Sequence, residues 1–327
     1  MRRSRGAGGV SFGGVRANGH RSGRVLEPRR ATTPRQELVG SFLTALMAVQ
    51  FAIVVIVGKD VMHGHLPFTL LSLRFGGAAV ILAVALLATG RPLLPEHGER
   101  LGIAAAGIVG YGTESALYFS ALNHGSAAAV TLLFYTYPVW VMLATIAIDR
   151  RVPRGRLVLA LLFAIGGSVV VVAGSSGVEL QALGIVLALA CSVAYSAYLI
   201  GTDRLVTRTN AMTSAMWLSA GAATGNLIYS FLFDTHVVPA GGDWWRVVGM
   251  AVFSAGAFGC MLAGLQRIGA VRNAIIGVME PLTVAVLAAL FLSEPITLAT
   301  AGGGTLILGG AVLATLVRTT VGAEPNL

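Results

Sequence analysis

From residue 38 onward the chain is a succession of apolar blocks about 20 residues long, each nearly free of charge. They fall at about 38–58, 67–88, 101–121, 126–148, 156–174, 182–202, 211–233, 246–266, 271–292 and 297–317. A block of that length is what a helix needs to cross the hydrocarbon core of a bilayer. A β-barrel needs apolar and polar residues in alternation, and these blocks run without it. Charged residues make up 11% of the chain, against about 25% in a soluble domain. The expected fold is an all-α integral membrane protein with ten transmembrane helices.

The net charge of +9 invites a nucleic-acid reading, but its distribution speaks against one. Nine arginines lie before residue 36. They sit in a Gly-, Ser- and Arg-rich leader, residues 1–37, with too little apolar content to fold. No apolar h-region follows those charges closely, so the leader is not a secretory signal peptide. It reads as a cytoplasmic tail near anionic lipid headgroups, although a transit peptide has a similar composition. With the N-terminus inside, twenty Lys and Arg fall on inner segments and two, Lys59 and Arg246, on outer loops. Without the leader the ratio is eleven to two, still a strong positive-inside signal. Both termini, including the short tail at 319–327, are expected on the cytoplasmic face of the cell membrane. Cys191 and Cys260 lie inside apolar blocks and indicate neither a disulfide framework nor a zinc site.

An offset of 143 residues aligns the back ends of the two halves without a gap. Leu122 falls on Leu265, Ala127 on Ala270, Pro138 on Pro281, Val141 on Val284, and Gly166–Gly167 on Gly309–Gly310. Matches of Leu or Ala are cheap in such a composition, whereas the proline and the double glycine are not. Each half, 38–174 and 182–318, then holds five spans. An odd number makes the second half enter from the opposite side, so the repeats are inverted. Inverted repeats are a transporter architecture with a substrate site near the midplane.

Leu73-Arg74-Phe75, Ser126-Ala127, Tyr137-Pro138, and Glu280-Pro281 leading to Ser293-Glu294 stand in an order and spacing that resembles the EamA-type repeat of the drug/metabolite transporter superfamily. The resemblance covers residues 38–318. It implies a ten-helix carrier that moves small metabolites, often outward, by alternating access. Two departures stand out. Tyr137 occupies the place that Glu280 holds in the second repeat, and Arg151 stands where the offset places Glu294, with Asp149 two residues earlier.

Ionisable groups within hydrocarbon are costly and usually face a cavity or a partner. Arg74 and Glu114 both fall about 10 Å below the outer surface at 1.5 Å per residue, and Glu280 falls near the midplane. One reading makes Arg74 and Glu114 a structural ion pair clamping spans two and three. The other makes Glu114 a ligand or proton acceptor in a cavity beside Arg74. For Glu280 the alternatives are a protonated carboxyl bonded to a neighbouring helix and a titrating coupling group. In span four, helical spacing puts Tyr137 and Trp140 on one side and turns Tyr135 elsewhere. Such a cluster either packs the core or lines a cavity. Gln50 in span one and Tyr195 in span six are further polar groups at mid-depth. The candidate substrate-binding set is therefore Gln50, Glu114, Tyr137, Trp140, Tyr195 and Glu280. Pro138 and Pro281 remove backbone donors at equivalent places and predict paired bends, the candidate hinges.

These features indicate a secondary carrier of small organic metabolites or drugs, an exporter, with protons as the candidate coupling ion. Its other partners are a small-molecule substrate and membrane lipids, with no nucleic acid, cofactor or metal. The rival from another class is an intramembrane enzyme acting on a lipid or isoprenoid. It calls for an acidic or His cluster such as DDxxD, which the chain does not contain. A scaffold or receptor gives no reason for midplane carboxyls in an inverted repeat. The chain has no P-loop to support ATP-driven transport.

Overall fold

The computed structural model describes residues 33–62, 68–122, 124, 130, 133–150, 155–173, 181–233, 241–291 and 298–316. All regular structure among them is helical. The helices are α1 (Pro34–Met62), α2 (Phe68–Ala88), α3 (Arg100–Ala105), a π-helical segment (Ala106–Tyr111) and α4 (Gly112–Leu122). They continue as α5 (Tyr137–Asp149), α6 (Gly155–Ala173), α7 (Ala182–Leu205), α8 (Ala211–Leu232), α9 (Trp244–Gly277), α10 (Met279–Phe291) and α11 (Leu298–Leu316). Pro34–Gly58, Phe68–Ala88, Ala182–Leu205 and Gly241–Gly277 are long and apolar enough to cross a membrane. Tyr137–Asp149, Gly155–Val170 and Ala301–Leu316 are shorter apolar helices. Ser126-Ala127, Arg151, Ser293-Glu294, residues 1–32 and the tail 319–327 lie outside the described residues.

The first helix begins at Pro34, four residues before the apolar block. The cause is a capping box: Gln36 N–H donates to Thr33 Oγ1 (3.3 Å), Thr33 N–H donates to Gln36 Oε1 (2.9 Å), and Pro34 follows at the first helical position. Span three is one rod with a π-helical middle. There Gly107 lies so close to α8 that a β-carbon on it would meet Leu218 O at 2.8 Å.

The blocks at 246–266 and 271–292 meet within α9. Gly269, at φ 78° and ψ 168°, breaks that helix in a conformation open to glycine. A second break at Val278 separates α9 from α10, two residues before Glu280. In the first half a turn at Tyr135–Thr136 precedes α5. Both interruptions lie just ahead of the prolines at the equivalent positions 138 and 281.

Among the extensive pairings of the bundle are α1 with α9, α4 with α7, α2 with α8, and α6 with α11. Each joins a helix of the first half to one of the second. Exchanging the halves turns the α1–α9 pairing into the α7–α4 pairing and leaves the other two unchanged, as a two-fold axis requires. Gly167 and Gly310, equivalent under the offset, both lie at the α6–α11 crossing. A β-carbon on either would stand within 2.7 Å of a backbone carbonyl oxygen on the partner helix.

One end of the bundle is stitched by charge. Arg272 pairs with Glu37 at 3.1 Å and donates to Thr315 O, which joins α9 to the start of α1 and the end of α11. At the same end the Glu99 carboxylate accepts five hydrogen bonds of 2.5–3.0 Å, from Thr207 N and Oγ1, Arg208 N, and Thr209 N and Oγ1. Gln266 of α9 donates to Thr209 O, so the loop between α7 and α8 is held from both sides. Burial, the largest single influence on Glu99, favours its neutral form. The bonds from the Thr209 hydroxyl and the three amides together outweigh it and hold the carboxyl below the usual glutamate range.

Candidate functional site

The turn ahead of α5 and the middle of α7 bring an aromatic cluster together between helices of both halves. Tyr195 lies edge-on to Tyr137 with centroids 4.8 Å apart, and Phe134 touches both rings. Tyr111, at the end of the π-helical segment, continues the cluster to Tyr198 (5.2 Å), Tyr195 (6.4 Å), Phe75 (5.4 Å) and Phe258 (4.9 Å). Tyr135 joins through Phe134 and Tyr137. These five tyrosines are buried. Two hydroxyls reach across to α9: Tyr137 donates to Ala274 O (3.1 Å) and Tyr195 to Met261 Sδ (3.8 Å).

The charged groups border this cluster. Arg74, on α2, lies with its guanidinium carbon 4.2 Å from the centroid of the Phe75 ring. Tyr111, Glu114 and Glu280 are all within its electrostatic reach. Glu114 stands in the first turn of α4, three residues after Tyr111. Its Oε1 accepts a long hydrogen bond from the Cys191 thiol (3.8 Å), and the same thiol also approaches the Glu114 carbonyl. Glu280, in the first turn of α10, neighbours Tyr135 and is part-exposed.

The expected pair of Arg74 and Glu114 is not closed. No ion pair within 4 Å joins them among the described residues, and Arg74 Nε is buried without a hydrogen-bond partner. Equal depth on neighbouring helices brings the two charges near each other, but the guanidinium is drawn over the Phe75 ring.

Of the residues singled out in the sequence, Glu114, Tyr137, Tyr195 and Glu280 lie at this cluster, together with Arg74. Trp140 does not join its rings among the described residues. It is 38% exposed on the bundle surface, because three residues of helix turn it about 60° away from Tyr137. Tyr135, which helical spacing turned away, faces the cluster instead, since the turn at Tyr135–Thr136 breaks the periodicity. Gln50 reaches α9, where its amide lies against Gly256 and donates to Cys260 Sγ (3.6 Å). The sequence reading missed Tyr111, Tyr198, Phe75 and Phe258. A signal existed for two of them: Tyr111 precedes Glu114 by three residues and Tyr198 follows Tyr195 by three, so each pair shares a helix face.

An internally two-fold helical bundle with aromatic and charged groups gathered between its halves has the architecture of a membrane transporter. The pattern of the EamA-like transporter family matches residues 38–173 and 182–316, and the chain belongs to that family. It is 29% identical to the aromatic amino acid exporter YddG of Ancylobacter novellus over 77% of this chain and 88% of that protein. It is 26% identical to the uncharacterized transporter YcbK of Bacillus subtilis over 62% and 69%. An uncharacterized transporter of Archaeoglobus fulgidus is 25% identical over 84% and 96%. One solved crystal structure shares the fold with a TM-score of 0.75 at 24% identity, covering 87% of this chain and 97% of that one.

Proposed function

We propose that the protein is a secondary exporter of small organic molecules carrying an aromatic ring, working by alternating access across the cytoplasmic membrane. In this reading ten spans form two inverted repeats, 38–174 and 182–318, with both termini in the cytoplasm. The observation that carries it is the buried tyrosine cluster between helices of both halves, bordered by Arg74, Glu114 and Glu280. Stacked and edge-on rings recognise an aromatic solute without demanding one particular side chain. The relative named as an aromatic amino acid exporter supports that choice of substrate class, and the intramembrane-enzyme alternative gains no support from the family.

Transport needs the two helix groups to part first on one side and then on the other. The breaks ahead of Pro138 and Pro281 supply equivalent bending points in α5 and α10. The contacts Tyr137–Ala274 and Tyr195–Met261 at mid-depth, and Glu99–Thr209–Gln266 at the end where α1 begins, hold the groups together. Opening to the cytoplasm breaks them.

Glu280 is the proposed coupling group, exchanging a proton as the substrate binds and leaves. The groups facing it are Arg74 from α2, Tyr111 from the π-helical segment, Glu114 from α4, Tyr135 in the turn ahead of α5 and Tyr137 at its start. Of the helices packed on α10, α11 carries no charge, α6 carries only Arg156 and α1 carries charge only near its ends.

The reading is tested with the purified chain in proteoliposomes of controlled internal pH, using a panel of labelled amino acids, amines and aromatic acids. Counterflow of ring-bearing solutes, driven further by a pH gradient, is the expected result. Absence of saturable flux for every member of the panel overturns it. Orientation is checked separately by phosphatase fusions, which are expected to be inactive after Arg318 and active between Asp234 and Asp243.

A further inference from the structure

We infer that the crevice between the start of α1 and the part of α9 just ahead of Gly269 binds the headgroup of an anionic glycerophospholipid, whose acyl chains lie along α1. A cavity of about 380 Å³ opens to the surface there, lined by Thr33, Arg35, Gln36, Val39 and Arg267. Arg35 stands three residues before the apolar block at 38–58, and Arg267 directly follows the block at 246–266. Both arginines therefore lie at the level of lipid headgroups, where basic pockets between spans hold anionic heads.

Two guanidiniums share this cavity, and no carboxylate lines it. Neither Arg35 nor Arg267 forms an ion pair among the described residues. Glu37 is two positions beyond Arg35, which turns it about 200° round the helix, and it is buried against Arg272. Arg267 is held by two contacts. Its Nη1 donates to Ala263 O at 2.6 Å, and its stem lies on Gly40, where an added β-carbon would come within 2.8 Å of the Arg267 β-carbon. The bond to Ala263 takes one of five guanidinium donors. Like charges that converge on one concavity repel until an anion stands between them, and the guanidinium fork matches a phosphate group. The first-turn amide of Gln36 is already bonded to Thr33, so the arginines supply the attraction.

The apolar part of the ligand follows from α1 below the cavity. Arg35, Val39, Phe42 and Leu46 recur at helical spacing on one face, and all four are exposed, Phe42 at 65%. A free phosphate uses only the arginines. An acidic peptide reaching Phe42 and Leu46 carries unsatisfied backbone groups into lipid. A diacyl phosphate ester meets the arginines with its head and the apolar stripe with a chain. Arg35 belongs to the first half and Arg267 to the second, so the bound head bridges the halves two residues from the break at Gly269.

Binding to the purified, delipidated full chain in neutral detergent tests this, with labelled dioleoyl phosphatidylglycerol as the probe. Salt at about 0.3 M screens diffuse attraction by the Arg-rich leader. The competitors are dioleoyl phosphatidylcholine, glycerophosphoglycerol (the same head without chains) and inorganic phosphate. The wild type should hold phosphatidylglycerol at least about tenfold more tightly than phosphatidylcholine, as two arginines near a lipid surface allow. The two chainless anions should fail to displace it even at about a hundredfold excess, because they lack the buried methylenes. Arg35→Gln combined with Arg267→Gln should cut the preference to less than about threefold. Arg91→Gln combined with Arg208→Gln removes the same charge from exposed arginines on the loops after α2 and α7, and should leave it intact.

Equal loss in both double variants assigns the attraction to overall charge and overturns the site, as does no loss in the first. Displacement by glycerophosphoglycerol or phosphate as effective as by the lipid makes the ligand a free anion. An equal hold on phosphatidylcholine removes the role of charge. Either of these wild-type results overturns the proposal without a variant. Binding is read without flux, so these outcomes are separate from those of the carrier reading.

Discussion

The interrupted helices of the two halves, ending in α5 and α10, show how the protein departs from its own symmetry. Both break just ahead of a proline, at 138 and 281, and the 143-residue offset superposes the breaks. The side chain before each proline differs. In the first half it is Tyr137, buried, with its hydroxyl fixed on Ala274 O and its backbone carbonyl accepting from Ser196. In the second half it is Glu280, part-exposed beside Tyr135. Proline dictates the backbone in both places, because each removes a donor and crowds the preceding turn. The side chain then decides whether a neutral hydroxyl or a carboxyl hydrogen-bonded to Tyr135 stands at the break. The offset gives the bundle two equivalent helix interruptions, and the proposed function gives them different tasks.

The anchoring of the two halves differs as well. The second half's bend is held from the bundle end by Arg272, buried against Glu37. Removing one partner of a buried pair costs about 3–5 kcal/mol, so Arg272→Ala should lower thermal stability more than any other single change discussed. Thermal unfolding in detergent measures it. Retained stability would mean that the buried pair contributes little to holding α1, α9 and α11 together.

Next in size is Glu99, which anchors the α7–α8 loop and corresponds by offset to Gly242 in the second half. Glu99→Ala leaves five donors without their acceptor and should cost about 3 kcal/mol, given about 1.5–3 kcal/mol for a hydrogen bond to a charged group and partial rehydration. The sign with pH follows from its lowered folded-state pKa. Its contribution is complete above the unfolded value and is lost as pH falls through the lower folded value. Wild-type stability at this clamp should therefore be flat above about pH 5 and decline in acid. The Ala variant should lack that part of the acid decline, which comparison of melting curves across pH will show.

The smallest effect belongs to Tyr137→Phe. It removes one neutral hydrogen bond and keeps the ring against Tyr195, so stability should fall by about 1 kcal/mol. Flux should persist with its pH dependence intact. Loss of that pH dependence would give Tyr137 the role assigned to Glu280 and erase the proposed division between the halves.

The apolar blocks placed most helices within a few residues, because burial in lipid demands length and continuity. Their ends were less legible where polar residues set them: Thr33 and Gln36 start α1 early through a local hydrogen-bond exchange. Charge inside the spans pointed to Arg74, Glu114 and Glu280, since a charged group at such depth is conspicuous against an apolar background. The tyrosines were legible only in part. Tyr111 and Tyr198 lie in stretches where an aromatic residue looks like packing, and only the packing of the π-helical segment against α7 brings their rings together. Tyr135 was placed on the wrong side because regular helical spacing was carried through the turn at Tyr135–Thr136. Glu99 gave no local signal, for its partners stand more than 100 residues away, on a loop that only the tertiary fold delivers.

The central claim is that Glu280, and not its symmetry mate Tyr137, couples protons to substrate movement. Its most direct test is Glu280→Gln in proteoliposomes, measuring counterflow and pH-gradient-driven flux side by side at several pH values. The account predicts that counterflow survives in the variant while flux driven by the pH gradient disappears. Wild-type pH dependence persisting unchanged in the Gln variant would contradict it and leave Glu280 a structural hydrogen-bonding group.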